Sequence, residues 1–88
     1  MTLDAFGRAI GIRPVTEPFK VEFKTYWRCH FPGALVRNAD GLLVEASGRG
    51  PTAARARRDL ASRIRSRHLV VDAGTRRQRE FPVPDLTE

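Results

Sequence analysis

An 88-residue chain with a formal net charge of +6 and a sequence pI of about 11.0 has room for one sheet and one or two helices around a single core. Hydrophobic residues make up 41% and charged residues 30%, which excludes wholesale disorder and predicts a small, folded, basic domain. No apolar run approaches the ~20 residues of a membrane span, the start Met1-Thr2-Leu3-Asp4 lacks the regions of a signal peptide, and the single Cys29 can form no intramolecular disulfide. A cytoplasmic protein is the expectation.

Leu3, Phe6 and Ile10 fall at helical spacing, with Thr2 as a cap and Gly11 as a stop. They predict a short N-terminal helix. Pro14 and Pro18 bracket a linker. From residue 19 to 31 the chain alternates. Phe19, Val21, Phe23, Thr25, Trp27, Cys29 and Phe31 take the odd positions, and Lys20, Glu22, Lys24, Tyr26, Arg28 and His30 the even ones. Period-2 alternation predicts one long strand, its odd face in a core and its even face in water.

Pro32-Gly33 then predicts a turn. Ala34 to Arg37 and Leu42 to Ser47 read as a second and a third strand, joined through Asn38-Ala39-Asp40-Gly41, whose Asp-Gly step favours a hairpin. Gly48-Arg49-Gly50 ends the strand. Pro51 and Thr52 open a helix to about Arg67, with Ala53, Ala56, Leu60 and Ile64 on one narrow stripe. Phe23, Trp27 and Phe31 are expected beneath it. His68 to Asp72 reads as a short final strand. The domain is expected to span residues 1–72, with residues 73–88 a basic, Pro-containing tail poor in core formers. The fold class is α+β: a three- or four-stranded, mainly antiparallel sheet packed on one long C-terminal helix.

The positive charge is unevenly placed. Ten arginines lie between Arg49 and Arg79 against only Asp59 and Asp72, whereas residues 1–48 carry six basic and five acidic residues. At 100° per residue, Arg55, Arg58 and Arg65 fall on the helix face opposite Leu60, and Arg57 and Arg63 flank the apolar stripe. Like charges clustered on one helix face repel, and such a cluster suits a polyanion. Arg49 stands in the Gly-rich turn before the helix, where free amides favour phosphate. A second candidate face holds Lys20, Lys24 and Arg28 around Tyr26.

Enzymatic constellations are missing. Cys29 and His30 are neighbours on a strand and point to opposite faces. Two His and one Cys give no metal-ligand spacing, and no nucleophile elbow or nucleotide fingerprint occurs. A non-enzymatic protein without cofactor or metal is expected.

The stretch Ala46-Ser47-Gly48-Arg49-Gly50-Pro51-Thr52-Ala53-Ala54-Arg55-Ala56-Arg57-Arg58, with the expected order of helix, three strands and basic helix, resembles the double-stranded-RNA-binding domain over residues 46–64. That resemblance implies that Arg55 and Arg58 bridge phosphates across a groove. The family's Lys-Lys at the start of the second helix is absent here. In size and charge the chain is also similar in type to small phage proteins such as anti-CRISPR inhibitors. The expected function is therefore nucleic-acid binding through backbone contacts. The alternative is an inhibitor or adaptor that docks on a nucleic-acid-bearing complex.

Overall fold

In the computed structural model, which describes residues 1–88, the chain runs as α1 (Leu3–Ile10), β1 (Val15–Val21), β2 (Lys24–Arg37), β3 (Leu43–Gly50), α2 (Ala53–Ile64), β4 (His68–Val71) and β5 (Arg79–Pro82). The class is α+β, with five strands and two helices. The sheet exceeds the three or four strands expected. The longer helix is central, between β3 and β4, because the last part of the chain returns to the sheet instead of trailing from a final helix.

Local signals explain the helices. The Thr2 side chain accepts from the Ala5 amide, and Gly11 closes α1 in the left-handed region at φ 79°. Leu3, Phe6 and Ile10 are buried. Phe6 meets Phe31 edge-on, ring centroids 5.9 Å apart. In α2 the Thr52 side chain accepts from the Arg55 amide, and the helix stops at Ile64. Ala56, Leu60, Ala61 and Ile64 are its buried stripe.

β2 is the spine of the sheet. β3 runs antiparallel along one edge, while β1 pairs with the first half of the other edge and β4 with the second half, β5 lying outside β4. The single strand expected over residues 19–31 is two strands. A hairpin turn at Glu22-Phe23 separates them, with Val21 opposite Lys24 and Phe19 opposite Tyr26. Residues directly opposite in an antiparallel pair share a face, so the turn exchanges odd for even. Phe23 therefore leaves the core for the hairpin tip, where it is 103% exposed.

Pro32-Gly33 is no turn. β2 continues through it, and its register against β3 shifts between His30 and Leu35. Phe31 and Ala34 are both buried while Pro32 and Gly33 are exposed. The pair loops outward as a bulge, with Gly33 at φ 72°.

Gly48 and Gly50 likewise stay inside β3. A Cβ at Gly48 would lie 2.2 Å from the Leu60 amide nitrogen, and one at Gly50 would lie 2.8 Å from the Arg55 Cβ. These glycines let α2 press onto the edge strand.

Both helices lie on one face of the sheet, over Cys29, Phe31, Ala34, Val36, Ala46, Leu69 and Val71, with Trp27 partly buried beside them. The packing does not end at residue 72. Val83 and Leu86 belong to the same core, β5 pairs with β4 throughout, and the Thr87 amide donates to the Met1 carbonyl at 2.9 Å.

Candidate nucleic-acid interface

The arginines of α2 and its flanks fall into two groups. Arg57 is committed to the fold. Its Nε donates to Glu88 at 2.7 Å, Nη2 meets Asp4 at 3.0 Å, and Nη1 donates to Thr16 at 3.4 Å. Its side chain is only 22% exposed. Glu88 in turn accepts from the Leu3 amide at 2.9 Å. Arg57 therefore ties α1, β1 and the last residue to α2. Burial alone would lower its pKa, but the hydrogen bond and charge of Glu88, joined by Asp4, raise it.

Arg63 pairs with Asp59 one helical turn back at 2.9 Å, and the other bond of that carboxylate oxygen comes from the Arg49 amide. That amide is thereby taken, so it offers no donor to a phosphate. Arg65 reaches the Leu86 carbonyl and Asp85. Arg55 and Arg58 are exposed and have no ion-pair partner, nor has Arg49. Of the arginines expected at the site, these three remain available.

Arg49 does not stand with the helix face. It lies opposite Arg28 in the β2–β3 register, on the sheet face turned away from the helices. Phe19 and Tyr26 share that face, opposite one another across β1 and β2. Their rings stack, centroids 5.9 Å apart and 29° between planes. The Arg49 guanidinium lies over the Phe19 ring, 5.9 Å from its centroid. Glu17, Pro18, Phe19, Arg28 and Arg49 line a cleft of about 280 Å³. Arg28 pairs with Glu45, and its Nε is buried without a hydrogen-bond partner. His30, next along β2, has its pKa lowered by burial and by the Arg28 charge, with Glu17 opposing.

The second candidate face is thus partly regrouped. Lys24, Tyr26 and Arg28 remain together, but Lys20 opposes Thr25 and belongs to the helix-side face. Phe19 takes its place, and Glu17 joins beside Arg28. The sequence does not signal these two, because Glu22-Phe23 contains neither Gly, Pro nor Asn, so nothing marks the turn. The length of the alternating run was the one available sign, since strands of more than about 10 residues are unusual.

Cys29 is buried and accepts from the Thr16 hydroxyl at 3.4 Å. Burial pushes its thiol pKa up against that hydrogen bond, which describes an inert core thiol. No group of three or more His, Cys, Asp or Glu side chains could hold a metal ion. No helix is long and apolar enough to cross a membrane. The chain matches no protein-family model, and neither a curated protein nor a solved structure matches it.

Proposed function

We propose that the protein binds nucleic acid without catalysing a reaction on it, holding the phosphate backbone with arginines that the fold leaves uncommitted. The sorting of the cations carries this reading. Of the arginines in β3 and α2, Arg57 and Arg63 have carboxylate partners, while Arg49, Arg55 and Arg58 have none, Arg49 near the end of β3 and the other two on α2. Arg55 sits against Gly50, next to Arg49 in the chain. Arg55 and Arg58 stand three residues apart on the outer face of α2, where like charges repel, and a polyanion relieves that repulsion. Their planar forks suit phosphate oxygens.

The test is fluorescence anisotropy with labelled single-stranded and duplex oligonucleotides over a salt series. Binding at ~50 mM salt that weakens steeply as salt rises is expected. Arg55→Ala with Arg58→Ala should flatten the slope of log affinity against log salt by about 1.4–1.8, at ~0.7–0.9 for each phosphate no longer neutralised. Absence of binding to every nucleic acid at low salt contradicts the proposal.

One observation favours a second reading, an inhibitor or adaptor of the phage type that docks on a nucleic-acid-bearing complex. Phe23 projects fully exposed from the β1–β2 hairpin, with Val21 beside it 51% exposed. Aromatic side chains of this kind anchor protein interfaces. If no nucleic acid binds, this reading takes precedence, and Phe23→Ser should then abolish docking while leaving the fold intact.

A further inference from the structure

We propose that the cleft on the helix-free face of the sheet receives an unpaired base, so that the nucleic acid bound is single-stranded. This rests on the nucleic-acid reading above and specifies its ligand.

The chemistry of the cleft separates a base from a phosphate. Glu17 lines it and has no cationic partner. A carboxylate there opposes a bare anion. It accepts hydrogen bonds, however, and nucleobases present amino and imino donors along their edges. Arg28 and Arg49 supply donors on the other side of the same cleft. Phe19 supplies an aromatic wall, stacked with Tyr26 and with the Arg49 guanidinium 5.9 Å from its ring centroid. An aromatic wall with both an acceptor and donors in reach complements a flat, neutral ring bearing donors and acceptors.

The surroundings supply what the base lacks. Lys24 lies on the same face, opposite Val21. Arg55 lies just past the end of β3. Neither has an ion-pair partner. A strand lying along the open face would therefore meet a free cation at Lys24, toward the hairpin end of the cleft, where a phosphate next to the inserted base could sit. Bases within a duplex are stacked on their neighbours and paired along the edge that Glu17 and Arg28 would read. They cannot enter without being flipped out, at a cost of a few kcal/mol.

The experiment compares a fluorescein-labelled single strand of about 12 nucleotides with the duplex of the same sequence, against wild type, Phe19→Leu, Tyr26→Leu and Glu17→Gln. Leucine keeps apolar bulk on the strand and removes the ring face. Circular dichroism melts establish that each variant folds. The single strand should bind wild type at least about ten-fold more tightly than the duplex. Phe19→Leu should lower single-strand affinity by about ten-fold or more, in the range of one base stack, with the salt slope unchanged because no cation is removed. Glu17→Gln should change the ranking among homopolymer single strands more than their mean affinity. Equal or tighter duplex binding, with folded Phe19→Leu binding like wild type, overturns the cleft proposal while leaving the nucleic-acid reading in place. Failure of both oligonucleotides to bind wild type removes the nucleic-acid reading itself.

Discussion

The face of the sheet beneath the helices and the face turned away from them are built by the same strands, yet their side chains answer to different demands. The covered face meets α1 with Phe31, edge-on to Phe6, and meets α2 with small residues that allow close approach, Gly48 lying against the backbone of Ala56 and Leu60. Arg57, the half-buried arginine of α2 beside it, is held by Asp4 and Glu88. On the open face, stacked aromatics sit beside guanidiniums, a carboxylate without a partner and a buried Arg28 Nε without an acceptor. Packing accounts for the first arrangement. The second leaves polar capacity unused, and surfaces of that kind are suited to ligands.

The contrast between the faces breaks most readily at Gly48. Valine there places side-chain atoms against the α2 backbone, which cannot move aside as a side chain can. Gly48→Val should cost about 3 kcal/mol, the upper end for overpacking, or prevent folding. Urea denaturation measures it, and a loss below about 1 kcal/mol would mean that α2 does not lie so close.

A smaller effect is expected at Arg57, which separates structural from available arginines. Arg57→Met keeps the apolar stem and leaves the partners of the guanidinium behind. It should cost about 1.5–3 kcal/mol, the range for hydrogen bonds to charged groups, with the salt slope of nucleic-acid binding unchanged. Arg55→Ala should do the opposite, leaving the melting temperature nearly as it was and flattening the slope.

The smallest effect concerns the hairpin that creates the open face. Glu22 adopts φ 58°, a conformation costing a residue with a Cβ about 1–2 kcal/mol. Glu22→Gly should therefore raise stability by about 0.5–1 kcal/mol once glycine's extra chain entropy is subtracted. A loss of stability would show that the Glu22 side chain supports the turn.

Helices were legible in the sequence because their signals are local. Thr2 and Gly11 bound α1, Thr52 starts α2, and apolar residues at three and four spacing mark the buried stripes. The Asn38–Gly41 turn was legible for the same reason, and Asn38 Oδ1 accepts from both the Asp40 and Leu42 amides. Strand continuity was not. Alternation runs unbroken through Glu22-Phe23 because the apolar Phe19 and Val21 of β1 lie on the open face, whereas the apolar Cys29 and Phe31 of β2 lie in the core. Pro32-Gly33 looked like a turn because the same residues serve a bulge. The last strand carries little signal in the sequence because Arg79 to Pro82 has little apolar content and gains its place by pairing with β4. For the candidate site, the arginines could be named from spacing, but their commitments could not. Asp4, Glu88 and Asp85 lie far from Arg57 and Arg65 in sequence, and only the fold brings them together. Phe19 and Glu17 could join Arg49 only after the hairpin was known.

The most direct test of the central claim is the affinity of the wild-type protein and of Phe19→Leu for one sequence presented as a single strand and as a duplex, at fixed low salt. Preference of wild type for the single strand, lost in a folded Phe19→Leu variant, is the expected result. Equal affinity of both proteins for both forms would contradict a base-receiving open face, and no affinity for either form would contradict nucleic-acid binding altogether.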